Sequence, residues 1–184
     1  MPLILLTKPE EEPLSLADAK AYLRVDNDAE DALIGSLIVA ARRHLEDATG
    51  KRFVRQLWRL SLDAWPVAGV VSLPLAPVLG IAAARLREVD GTEVPLDITS
   101  WSVDGANRLH TDTHVAVRRP FAGIEIDVEA GFGDAGDVPQ DVVQAIRLLV
   151  AHLFEHRSGA DHARNGLPLA AAALIATERR VRLA

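Results

Sequence analysis

The sequence predicts an α+β fold: a small helical bundle built from both chain ends, with an antiparallel β module inserted between the second and third main helices. Three observations predict it. Apolar residues recur with a period of 3.6 near the start of the chain and again near its end. Between these stretches the period drops to 2. Turn residues (Gly, Pro, Asp, Asn) punctuate the middle at short intervals and are sparse inside the periodic ends.

The helical ends are expected over 13–50 and 138–178. Ser15 precedes Leu16, Ala19 and Leu23, with Asp18 three residues after it, which reads as an N-cap and a first-turn acid over a helix at 15–24. After a turn at Val25–Asn27, Asp28 is expected to cap a second helix of about twenty residues. Its stripe is Leu33, Leu37, Ala41 and Leu45, widened by Ile34 and Ile38, which places Arg42, Arg43, Glu46 and Asp47 toward the outside. Thr49-Gly50 ends it with a left-handed cap. In the last third, Pro139 suits the first helical position, and Val142, Ile146, Leu149 and Leu153 form one stripe that runs to about Arg157. A polar loop over 158–166 leads to Pro168 and an alanine-rich helix, which gives way to a basic tail at 178–184.

The β insertion is expected over 53–130. Trp58, Leu60 and Leu62 alternate with Arg59 and Ser61, a half-buried strand. Val70–Leu73 is a short strand closed by Pro74 and Pro77. Ile81–Val89 and Thr92–Leu96 flank Asp90-Gly91, a hairpin signal. Trp101–Val103, His114–Val117 and Ile124–Val128 complete a sheet or small barrel of five to seven strands. With 184 residues and no internal repeat, all of this is read as one domain.

Composition narrows the function. Apolar residues make up 49% and charged residues 25%, so a mainly disordered chain is excluded. The net charge of −6 and the 4% of aromatics argue against wrapping phosphate backbones or stacking bases. Without cysteine there are no disulfides, thiolate metal sites or cysteine nucleophiles. No secretory leader and no apolar run of membrane-spanning length is visible, which gives the expectation of a soluble cytoplasmic protein.

Three motifs invite a chemical reading. Gly131-x-Gly133-x-x-Gly136 fits the dinucleotide fingerprint, but no strand is expected after the following helix, and Asp134 and Asp137 would repel a pyrophosphate. His152-x-x-Glu155-His156 has the spacing of one metallopeptidase class. The two histidines flank the apolar stripe, Glu155 points away, and Glu178 is the only downstream Glu, so no metal or cofactor is expected. A metal-dependent hydrolase on these three residues is one alternative function, and another non-enzymatic assembly protein is the other. Asp26-x-Asp28-x-Glu30-Asp31 resembles a calcium loop but has Asp31 where the turn requires Gly. The remaining feature is charge asymmetry. Residues 1–31 carry eight acids against three bases, and the last seven carry three arginines against one acid, a pattern suited to head-to-tail association or docking. Arg179, Arg180 and Arg182 would also be the basis of a duplex-binding reading.

In their order, these residues resemble the head–tail connector (adaptor) family of tailed phages, prophages and gene transfer agents. The opening carries Leu14-x-Leu16, Ala19-Lys20, Leu23-Arg24-Val25-Asp26, Asp31-x-Leu33-Ile34, Leu37-Ile38, Ala40-Ala41-Arg42, Glu46 and Thr49-Gly50. Gln56-x-Trp58-x-Leu60-x-Leu62-Asp63-x-Trp65-Pro66, Leu73-Pro74-x-x-Pro77-Val78 and Asp90-Gly91 are similar to the β insertion of larger members. Gly131-Phe132-Gly133, Val138-Pro139, Ala145-Ile146, His152-Leu153-Phe154-Glu155-His156-Arg157 and Leu167-Pro168 resemble the closing segment. The match spans roughly residues 13–177.

The resemblance implies a structural, non-enzymatic protein without cofactor. It would assemble as a ring of copies of itself below the portal protein, in the neck of a phage-like particle. There it would extend the DNA channel and carry the next neck protein, a stopper or head-closure protein. Assembly would take place in the host cytoplasm, with no membrane partner, and double-stranded DNA would pass without specific binding. The tail residues Arg179, Arg180, Val181, Arg182 and Leu183 are expected to dock on the portal, the arginines on carboxylates and the apolar pair in pockets between them.

Overall fold

The computed structural model describes residues 2–111, 116–156 and 167–178. The chain forms an α+β structure of two compact units: residues 10–54 with 133–184, and residues 1–9 with 55–132.

The helical unit holds α1 (Leu16–Leu23), α2 (Asp31–Thr49), α3 (Gln140–Glu155) and α4 (Leu169–Leu174). Ser15 caps α1: its Oγ accepts the Asp18 N–H at 3.0 Å, and its hydroxyl donates to the Asp18 carboxylate at 2.7 Å. Glu30, not Asp28, stands at the N-cap of α2. Asp28 is drawn away because its carboxylate takes the Lys20 ammonium at 2.7 Å. Gly50 closes α2 with φ of 71°, and its N–H returns to the Glu46 carbonyl. Pro139 lies one position earlier than expected, at the N-cap of α3.

α2 packs on α3, α1 packs on both, and α4 packs on α3. The buried face of α2 is Ile34, Ile38, Ala41 and Leu45, and that of α3 is Val142, Ala145, Ile146, Leu149 and Val150. Leu33 and Leu37 are only half-buried. The outward placement expected of Arg42 and Glu46 is wrong: both are buried. Helical periodicity locates a face but does not reveal that two charged members of it neutralise each other.

The β unit begins with a strand the sequence reading missed. β1 (Leu3–Thr7) pairs antiparallel with β2 (Gln56–Leu62), Leu3 opposite Leu60 and Leu5 opposite Trp58. The first sheet runs β1-β2-β8-β4-β5, with β4 Val78–Arg87, β5 Glu93–Pro95 and β8 Ile124–Ala130. The second sheet runs β3-β7-β6, with β3 Val70–Ser72, β6 Ser102–Val103 and β7 Arg108–His110. All strand pairs are antiparallel. The strand expected at His114–Val117 lies partly outside the described residues, and the described residues instead form β7 at Arg108–His110. The Asp90-Gly91 hairpin joins β4 to β5 as expected, the Asp90 carboxylate accepting the Thr92 N–H.

The two sheets share one core. Leu60, Leu62, Ala84, Leu86, Ile124, Ile126, Val128 and Ala130 come from the first, Val71 and Leu109 from the second, and Leu73 and Leu75 from the connecting loop. Trp65 and Trp101 pack against it edge to face, ring centroids 5.7 Å apart.

Leu149→Ala is expected to destabilise the fold by about 2–5 kcal/mol, because its side chain fills the bundle core. Half-buried Leu37→Ala should cost less. Equilibrium urea unfolding of both variants checks the order.

Candidate functional site

The helical unit contains a buried ion cluster. Arg42 on α2 makes a bidentate pair with Glu12, Nε to Oε2 at 2.7 Å and Nη2 to Oε1 at 3.1 Å. Its Nη1 donates to Glu46 Oε2 at 2.8 Å, one turn along the same helix. The other oxygen of Glu46 accepts the Phe53 N–H at 2.9 Å. Glu12 precedes α1, and Phe53 is the third residue after Gly50. A single guanidinium thus joins the segment entering the bundle to the segment leaving α2. Burial disfavours the charge on Arg42, but the hydrogen bonds it donates to Glu12 and the field of Glu46 outweigh it and hold the group protonated.

The β unit carries a second network on the face of the first sheet opposite the apolar core. Along β8, Ile124, Ile126 and Val128 face the core while Glu125 and Asp127 face the other way, and both acids are buried all the same. Arg59 of β2 grips Asp127 with two hydrogen bonds, 2.7 and 3.0 Å, and Arg85 of β4 takes its second oxygen. Arg59, Arg85 and Arg87 approach Glu125 at 3.3–3.6 Å. Arg87 also pairs with Glu93 of β5 at 2.6 Å. The network therefore stitches β2, β8, β4 and β5 together side by side. Burial pushes the Asp127 carboxyl up, but hydrogen bonds from Arg59 and Arg85 pull it further down, below the usual carboxylate range. Sequence reasoning missed this network. The available signal was the strand Ile124-Glu125-Ile126-Asp127-Val128, whose alternation gives two acids one face, with arginines at matching alternate positions in 59 and 85–87.

The motifs of the sequence fall out differently. His152 and His156 lie side by side on α3, ring centroids 4.4 Å apart, and Glu155 is exposed. His156 Nδ1 lies 2.8 Å from the His152 carbonyl. Among the described residues no group of three or more His, Asp or Glu side chains is placed to hold a metal ion. Gly133 has φ of 140°, and a Cβ there would strike the Asp137 carboxylate. That carboxylate accepts the Asp134 N–H at 2.9 Å in the turn before α3, so an acid fills the place a phosphate would need. Of the acids at 26–31, Asp28 and Asp31 both pair with Lys20, at 2.7 and 2.6 Å. Hydrogen bonding to Lys20 lowers the Asp28 carboxyl. The tail residues Arg179, Arg180, Val181, Arg182 and Leu183 lie outside the described residues. The residue before them, Glu178, pairs with Lys51 at 2.7 Å.

The model of the phage gp6-like head-tail connector protein family matches residues 13–92. Over its whole length the chain superposes on a chain in the virion of a native gene transfer agent particle, with a TM-score of 0.83 and 31% identity, covering 100% of this chain and 98% of that one. The chain belongs to the head–tail connector family. The connector also matches a chain from the neck of an empty gene transfer agent particle computed with C6 symmetry (TM-score 0.82, 32% identity). A chain from the neck of a native particle computed with C12 symmetry gives 0.82 and 29%. Both comparisons cover 100% of the connector and 98% of the other chain. No curated protein matches it. The family match at 13–92 runs through both Arg42 and Glu46 of the buried cluster and through Arg59, Arg85 and Arg87 of the sheet network. No described helix is long and apolar enough to cross a membrane.

Two consequences are testable. Removing Arg42 leaves two carboxylates without their shared cation, one of them fully buried, so Arg42→Ala should destabilise by about 3–5 kcal/mol in equilibrium denaturation. Asp127 has a folded pKa below its unfolded one, so its contribution is present above about pH 4 and is lost as pH falls through the folded value. The stability gap between the native chain and Asp127→Asn should therefore narrow on acidification from about pH 7 to about pH 3, as measured by urea midpoints.

Proposed function

We propose that the connector works as a ring of identical copies below the portal in the neck of a phage-like particle, where it extends the DNA channel and joins head to tail. The observation that carries this reading is the whole-chain likeness, at 31–32% identity, to chains from a gene transfer agent virion and neck. Both units take part, so the two act together as one connector domain. Its partners are further copies of itself, the portal above and a stopper or head-closure protein below. Assembly occurs in the host cytoplasm.

The role is structural and not enzymatic. What supports this is the use the fold makes of its charged side chains: Arg42, Glu46, Arg59, Arg85, Glu125 and Asp127 hold backbone segments together and face one another. The net charge of −6 suits a channel that passes DNA without retaining it.

The tail, with Arg179, Arg180, Val181, Arg182 and Leu183, docks on the portal. Its arginines pair with carboxylates, and its alternation puts charged and apolar side chains on opposite sides when extended. Each such contact is weak, and many copies around a ring act together. Ile175 is buried and Glu178 is tied to Lys51, so the chain is held up to the residue where the tail starts.

A deletion strain should yield filled heads without tails, seen by negative-stain microscopy. Complementation with a chain truncated after Glu178, which keeps the Lys51 pair, should give a folded protein that fails to join portal-bearing heads. Normal tailed particles from the deletion strain refute the connector role, and normal particles from the truncation alone refute the docking role of the tail.

A further inference from the structure

The five-stranded sheet has two unlike edges. At one, β1 is the outermost strand, and among the described residues nothing pairs with its outer side. The Ser61 N–H donates to the Pro2 carbonyl opposite it, so alternation turns the N–H and C=O groups of Leu3 and Leu5 outward. The strand reads Leu-Ile-Leu-Leu-Thr with no charge and no internal proline, which are the usual guards of an edge. Ile4, Leu5 and Leu6 are 40–54% exposed. At the opposite edge, β5 covers only Arg85–Arg87 of the ten-residue β4. Leu79, Val89 and Val94 lie along that side, 41–73% exposed. Half of the large exposed apolar side chains among the described residues thus fall on these two edges.

We propose that these two edges are the two halves of the contact between neighbouring copies: the β1 edge of one connector receives the β4–β5 edge of the next. The inference rests on the ring reading above and names its surface. A ring needs a heterologous contact, one patch meeting a different patch. A twelve-fold axis, the symmetry with which one relative's neck was computed, turns each copy by only about 30° from the last. The two patches must then lie on nearly opposite sides of the subunit, as the two edges of one sheet do. Self-pairing of two β1 strands would be isologous and would stop at a dimer. Charge does not oppose the contact. β1 carries none, and at the other edge Arg85, Arg87 and Glu93 are already paired with one another and with Glu125 and Asp127. An aliphatic patch therefore meets an aliphatic patch, and the outward backbone groups of Leu3 and Leu5 gain an extended neighbour.

The absence of cysteine gives a direct test. Within one copy, residues 5 and 94 lie four strand spacings apart, at least about 19 Å, beyond the reach of a disulfide. The double variant Leu5→Cys, Val94→Cys, carried in assembled particles and oxidised, should give a ladder of cross-linked species extending past the dimer. Leu6→Cys with Leu79→Cys serves as a second pair. All four positions are exposed, so folding is retained. Each single variant should stay monomeric. A dimer from Leu5→Cys alone would mean β1 self-pairing and overturn the proposal. So would failure of both pairs to ladder in particles that carry tails and contain the chain, an outcome that leaves the connector role standing. Tailed particles that lack the chain altogether would remove the connector role, and this contact with it.

Discussion

The helical unit depends on one guanidinium. Arg42 is buried against Glu12 and Glu46, and Glu46 in turn holds the Phe53 backbone. A charge taken out of water this far is unfavourable unless every partner is in place. Here each partner comes from a different stretch of chain: the entry to α1, the body of α2 and the residues that leave α2. The cluster can form only when all three are correctly placed. Its worth lies less in net stability, since a buried pair roughly cancels its own desolvation, than in the penalty it sets on any other arrangement. Leu14, Leu45 and Phe53 are fully buried and supply the apolar drive.

The β unit uses the same device across strands. The central strand β8 is buried on both faces, although only one of them is apolar. Asp127 and Glu125 accept from arginines on the strands to either side, so the second face is closed by its own ion pairs. This has a consequence for register. A one-residue slip of β8 would send Ile124, Ile126 and Val128 to the arginine side and the two acids into the aliphatic core. Apolar and charged faces thus enforce the same alignment from opposite sides. The β1 edge has no charged residue to lock it in this way, and it pairs with β2 through a register shift between Leu5 and Thr7.

Much of this was legible in the sequence, and the failures have physical causes. The cap at Ser15, the Gly50 terminus and the Asp90-Gly91 hairpin follow from local rules, and the structure keeps them, while the buried face of α2 centres on Ile34 and Ile38 and not on Leu33 and Leu37. β1 was missed because Leu3–Thr7 has neither alternation nor helical period. It becomes a strand only by pairing with Leu57–Leu60, fifty or more residues away. Arg42 and Glu46 were placed outside because a side-chain charge predicts solvent until its partner is known, and Glu12 lies thirty residues from Arg42. The same long reach hid the sheet network, whose arginines and acids are separated by 42 and 68 residues. His152-x-x-Glu155-His156 shows a different case: the two histidines do lie side by side as the spacing requires, while Glu155 is exposed.

Internal pairing also decides what the connector shows to its surroundings. The arginines at 42, 59, 85 and 87 are all engaged in ion pairs, as are Lys20 and Lys51. Acids such as Glu10, Glu11, Asp26 and Asp141 remain exposed. Lys8, Arg24, Arg43 and Arg55 are exposed as well, and because each internal pair removes one acid with one base, the net charge of −6 is left to the unpaired groups. A surface of this kind repels phosphate backbones and, at low salt, also repels other copies. In the proposed contact between copies, short-range apolar contact would have to outweigh this repulsion. On the ring reading proposed above, such contacts gain from a template that holds copies at high effective concentration.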